Sequence, residues 1–190
     1  MPTAYTKKLA TVAQAQYDKY HWLHEDDAPL AAQIKKYWQE INLNFPDVDT
    51  PWSAVFVSWC ISNAGAGSDE FKFAAAHSVF VHWAIKNATA GTGLFQGFAI
   101  SDYAPQLGDI IQHNRGGNHF DFAFATANKN YISHSAIVVE TGEDPQGKYA
   151  LTIGGNEGDS VGRKLVRLKP NGLIKQRENS PFICVIRNLK

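Results

Sequence analysis

The chain has 190 residues, and its 18 Lys and Arg balance 18 Asp and Glu. That length gives one domain with a sizeable core, and the neutral balance removes the broad positive footprint of a nucleic-acid binder. No apolar run approaches a membrane span or a signal peptide. The reading is a soluble chain with no membrane partner and no export signal of its own, cytoplasmic in its producer unless a leader has been removed.

Residues 3–23 place Leu9, Val12, Ala13 and Tyr17 on loosely helical spacing, and a second helix is expected from Pro29 to Asn42. After the loop at 44–49 comes an almost wholly apolar stretch, Pro51 to Ala64, read as a buried helix. Thr50 is its expected N-cap, Pro51 its first residue and Gly65 its left-handed stop. Its first turn carries Ser53, a small hydroxyl at the positive end of the helix dipole. A fourth helix is expected over Asp69–Asn87, and Ala88–Pro105 reads as a loop.

The second half changes character. Asp109–His113, Ser135–Glu140, Tyr149–Ile153, Val161–Leu168 and Phe182–Arg187 are short, β-branched runs between turn residues. Residues 116–133 read as an insertion or lid between two strands. Helices first and strands later predict an α+β fold, with helices packed against a mainly antiparallel sheet of about five strands. Residues 1–48 form an N-terminal helical extension in this reading, and 49–190 form the main domain.

Three places carry chemistry. Ser53 starts a helix, His134 starts a strand, and Asn156 follows the strand ending Thr152-Ile153-Gly154-Gly155. A nucleophile on a helix start, an imidazole on a strand and a polar orienter on the next is the arrangement of groups acyl transfer needs, with the base reaching the nucleophile and the third group fixing its tautomer. Cys60 is the alternative nucleophile. It lies about 10 Å further along the same helical stripe, away from the dipole and among apolar neighbours that raise a thiol pKa. His77, Asp109 and Glu157 are further acid or base candidates, with Glu157 expected to face solvent beside Asn156. The pairs among the seven His do not converge on one site, with His21 and His24 one turn apart on an exposed-looking helix, and no cofactor motif is present. Cys60 and Cys184 give neither a disulfide framework nor a metal knuckle.

These segments resemble a known superfamily. Pro51-Trp52-Ser53-Ala54-Val55-Phe56-Val57 is similar to the nucleophile helix of the CHAP-type and NlpC-type cell-wall amidases, with Ser53 where they carry Cys. Pro105-Gln106-Leu107-Gly108-Asp109 resembles their Pro-x-x-Gly-Asp strand, His134-Ser135-Ala136-Ile137-Val138 their histidine strand, and Ile153-Gly154-Gly155-Asn156 completes the set. The likeness covers about residues 50–187. It is nearest to the branch with Ser in place of Cys, the domain of unknown function 2272, whose motif positions His77 and Arg115 also resemble.

The resemblance implies a papain-like fold and a hydrolase directed at peptidoglycan or its peptide stem, cutting an amide. Ser53 would be nucleophile, His134 base and Asn156 orienter, with His77, Asp109, Arg115 and Glu157 about the cleft. It implies no cofactor. Delivery by a secretion apparatus or a phage, and an immunity protein as partner, follow for such an enzyme. The alternatives are a binding domain that has lost the thiol, or a glycan-cleaving enzyme on the same scaffold.

Overall fold

A computed structural model describes residues 2–190, with five helices and six strands. Helix α1 (Ala4–Tyr20) begins at Thr3, whose hydroxyl accepts the N–H of Thr6 at 3.0 Å, and turns Leu9, Ala10 and Ala13 inward. Helix α2 (Ala28–Glu40) has Pro29 in its first turn and buries Leu30, Ile34, Tyr37 and Trp38. Helix α3 (Ser53–Ala64) is buried on nearly every side and stops at Gly65, whose φ of 111° L residues with side chains avoid. Its start differs from expectation. Thr50 donates its hydroxyl to Asp47 in a turn of its own, so Trp52 is the N-cap and no side chain caps the helix.

Helix α4 (His77–Ala90) begins eight residues later than its composition predicts. The chain before it is held in turns, where Ser58 of α3 donates to the carbonyl of Ala74 and accepts its N–H, both at 3.1 Å. The following stretch is not all loop: it contains strand β1 (Phe95–Ala99). Gly97 hid that strand, and the reason is space, because a Cβ there would lie 2.7 Å from Ile85 of α4.

The remaining elements are β2 (Ile110–Asn114), the short helix α5 (Phe122–Ala127), β3 (Ser133–Asp144), β4 (Gly147–Gly154), β5 (Gly162–Arg167) and β6 (Phe182–Asn188). They form one antiparallel sheet in the order β1-β6-β2-β3-β4-β5, one strand more than expected. Alternation sends Ile110, Ile137 and Ile153 to the helices and Ile111, Val138 and Val166 to a smaller apolar cluster. The expected insertion is tied down at its base, where Asn114 exchanges two 2.8 Å hydrogen bonds with the backbone of Phe120.

Residues 2–48 are integral to the packing. Leu9, Ala13, Leu30, Ile34 and Tyr37 share one core with α3, and Tyr37 rests on the rings of Trp52, Phe56 and Trp59. Among the described residues no helix is long and apolar enough to cross a membrane.

Candidate active site at the start of helix α3

Ser53 is the first residue of α3 and His77 the first residue of α4, so two helix N-termini converge here. Ser53 Oγ lies 2.7 Å from His77 Nε2. The His77 ring is tilted beside that of His134, centroids 5.2 Å apart, and His134 in turn faces His113 at 5.1 Å. That last neighbour follows from register, since His113 of β2 is paired with His134 of β3. His134 Nε2 meets Glu157 Oε1 at 3.0 Å, and the other oxygen of Glu157 is in contact with Lys164 Nζ on β5. The centre of this cluster is nearly closed to solvent, with Ser53, His77 and His134 3%, 5% and 3% exposed, whereas Lys164 is exposed at its edge.

The turn after β4 builds the far wall. A Cβ on Gly154 would lie 2.7 Å from Glu157 Oε1 and 2.9 Å from His134 Nε2. One on Gly155 would lie 2.5 Å from the Trp52 ring and 2.6 Å from Phe56. Two adjacent residues without side chains therefore let the turn wedge between α3 and the His134 strand.

The electrostatics differ along the cluster. Burial, then the charges of His134, His113 and Arg115, hold His77 well below the ordinary imidazole range. His113 is pushed down to about 4, chiefly by burial. Burial pushes Glu157 up, but its bonds to His134 and Lys164 prevail and bring it down to about 2. Glu157 is thus held as an ionised partner for His134.

Several expectations change. The imidazole bonded to Ser53 is His77, not His134. The group that fixes His134 is Glu157, and Asn156 does not touch it. Asn156 stands at a positive φ of 52°, which turns its amide outward to Glu25 Oε2 at 3.3 Å and swings the next residue in. Glu157 is accordingly buried rather than solvent-facing, with a side chain only 4% exposed.

Asp109 belongs elsewhere. It sits four residues before His113 along β2, about 13 Å away at strand rise, bonded to the backbone of Gln106 and Asn188. Arg115 is exposed and reaches the cluster only through its charge on His77. Cys60 is fully buried, and desolvation keeps its thiol protonated, well above its ordinary range. Among the described residues no three His, Cys, Asp or Glu side chains converge to hold a metal ion.

Sequence reasoning missed His113, Lys164 and Glu25. Only His113 carried a signal, its strand register with His134; the other two reach the site through folding alone.

Comparison with known families decides the relationship. A family described as an uncharacterized protein conserved in bacteria (DUF2272) matches residues 10–184. The chain belongs to this family. No curated protein and no solved structure matches it. The DUF2272 match begins within α1 and ends in β6, so the family unit takes in the N-terminal helices as well as the sheet.

Proposed function

We propose that this DUF2272 protein is a hydrolase of cell-wall peptide amides, built in the papain-like manner with a hydroxyl as its nucleophile. The observation that carries the reading is the 2.7 Å contact between Ser53 Oγ and His77 Nε2 at the uncapped start of a buried helix. In the tautomer with its proton on Nδ1, His77 accepts from the Ser53 hydroxyl. Burial keeps the ring in the neutral form a base requires.

In the reaction, Ser53 Oγ attacks the amide carbonyl and its proton passes to His77 Nε2. The N–H groups of the first turn of α3, free of any side-chain cap, face the developing oxyanion. The new imidazolium lies beside the His134 ring, which is bonded to the Glu157 carboxylate. Transfer of that proton to the nitrogen leaving group breaks the C–N bond and leaves an acyl-serine. Water, deprotonated by the same imidazole, then releases the acid and restores Ser53. The helix dipole contributes at most about 2 kcal/mol to an anion, far too little to form an alkoxide unaided, so the imidazole is indispensable.

The substrate class rests on the likeness to CHAP-type and NlpC-type amidases. An antibacterial role with delivery into a target envelope and an immunity partner belongs to the same proposal. A second reading, a domain that binds cell-wall peptide without cutting it, is favoured by the near-complete closure of the cluster.

Incubation of the purified protein with peptidoglycan, followed by mass spectrometry of the fragments, separates the two. New amine ends are expected, lost in Ser53→Ala and His77→Ala and sharply reduced in His134→Ala. Absence of fragments, or cleavage indifferent to Ser53→Ala, overturns the hydrolase. New reducing ends identify a glycan-cleaving enzyme instead.

A further inference from the structure

Glu25 lies in the loop between α1 and α2, remote in sequence from every residue of the cluster. Its Oε2 accepts the indole N–H of Trp52 at 2.8 Å and the amide of Asn156 at 3.3 Å. Trp52 immediately precedes Ser53, and Asn156 immediately precedes Glu157. One carboxylate oxygen therefore ties together the two segments that carry opposite halves of the site. Two further contacts seat the same loop on the turn after β4. Ser160 donates its hydroxyl to the carbonyl of Tyr20 at 3.1 Å, and His24 lies 3.7 Å from Asp159.

The other walls are not built to move. Helix α3 is buried along its length, and the β3 and β4 strands are hydrogen-bonded on both sides. The α1–α2 loop is the contrasting element: His21, Trp22, His24, Asp26 and Asp27 are all exposed, Leu23 alone packs on the core, and polar side-chain contacts join the loop to the turn. Exposed loops held by few polar contacts open at far lower cost than packed helices or central strands.

We infer that this loop is a clasp over the site, closed by Glu25, and that its release admits substrate to Ser53. The inference rests on Ser53 being the reacting group. In the closed state Glu25 holds Trp52 and Asn156 against the turn, and a substrate chain cannot reach the hydroxyl. Opening costs the two hydrogen bonds to Glu25, the lighter contacts of Tyr20 and His24 with the turn and the packing of Leu23 on the core, and leaves the sheet untouched. The clasp belongs to the N-terminal 48 residues, which gives that stretch a task at the site beyond its share of the core.

The test uses the full-length chain with Ser53→Cys and a thiol alkylating reagent, read residue by residue by mass spectrometry. Cys60 and Cys184 are fully buried and serve as internal reporters of global unfolding. Adding Glu25→Ala should speed alkylation at position 53 about tenfold or more, the loss of a charge-assisted pair of hydrogen bonds. Trp52→Phe, which drops one of the two bonds and keeps a smaller aromatic ring against Tyr37 and Phe56, should give a smaller rise. Both must occur while Cys60 and Cys184 stay unmodified.

Equal rates with and without Glu25 overturn the clasp, as does labelling of position 53 only in step with Cys60. If Glu25→Ala alone disturbs folding, the Trp52→Phe rate decides in the same way. Alkylation reads access and not catalysis. An opened site that never cleaves peptidoglycan would therefore sink the hydrolase and leave the clasp standing; cleavage with unchanged alkylation would do the reverse.

Discussion

Strand β2 has a buried polar cluster at each end, and the two are put together by opposite rules. At its start, Asp109 is almost fully buried, yet both oxygens are filled by backbone: Oδ1 accepts Asn188 N–H at 2.8 Å and Oδ2 accepts Gln106 N–H at 2.7 Å. Asn188 adds a bond to the carbonyl of Gly108 at 3.1 Å, and the strand end is stapled to the loop before β2. At the other end, the buried Nδ1 of His77 has no partner at all. A satisfied buried network fixes the fold, whereas an unsatisfied atom costs stability and marks a place where something else is to bind or react. The Pro-x-x-Gly-Asp motif and the serine motif look equally chemical in sequence; only the hydrogen-bond ledger tells them apart.

The comparison breaks most visibly in stability. Asp109→Ala orphans two backbone N–H groups, each costing about 1–3 kcal/mol when buried, so a loss of about 2–6 kcal/mol is expected in urea unfolding. Ser53→Ala leaves one buried nitrogen, His77 Nε2, without its partner, so it should cost about 1–3 kcal/mol while abolishing cleavage. If Asp109→Ala unfolds as late as Ser53→Ala, the staple assignment is wrong.

Acid titration sharpens the same contrast. Glu157 stands at about 2, below the ordinary carboxylate, so its contribution is complete above about pH 4.3 and lost as the pH falls towards 2. Asp109 is raised to about 6, first by burial and against its backbone donors, so its contribution is complete below about pH 4 and lost as the pH rises through 6. His113, held near 4, favours the neutral ring, and stability falls on its account as the pH drops from about 6.5 to 4. The unfolding free energy of wild type minus that of Glu157→Gln should therefore shrink between pH 4 and 2, by an amount on the order of 2–3 kcal/mol. Wild type minus Asp109→Asn should shrink in the opposite direction, from pH 4 to 6. A pH-independent difference for either variant rejects the corresponding assignment.

Much of this architecture was legible beforehand because one-dimensional signals carry it. Period in α1 and α2, apolar saturation in α3 and β-branched runs in β2 to β6 all survive in the sequence. What failed depends on partners distant in the chain. Gly97 masked β1 because α4 presses on it, and Thr50 lost its capping role to Asp47. Ser53 and His134 could be singled out by local context. That Ser53 faces His77 depends on how α3 crosses α4, and no spacing encodes that. The choice between Asn156 and Glu157 turned on one dihedral angle, and Glu25 reaches Asn156 across 131 residues of chain.

The smallest expected effect concerns Cys60, on the same helix as Ser53 and equally buried. The two differ in their surroundings. Ser53 has an imidazole and unclaimed backbone donors, whereas Cys60 is packed into the apolar core, where desolvation holds its thiol protonated. Cys60→Ala deletes one buried sulfur, and the small cavity should cost about 1 kcal/mol. Peptidoglycan cleavage and the alkylation rate of a cysteine at position 53 should be unchanged. Cleavage lost in Cys60→Ala while the unfolding midpoint barely moves would transfer the chemistry from the helix start to its middle, and the contrast between a dipole-exposed hydroxyl and a desolvated thiol would fall with it.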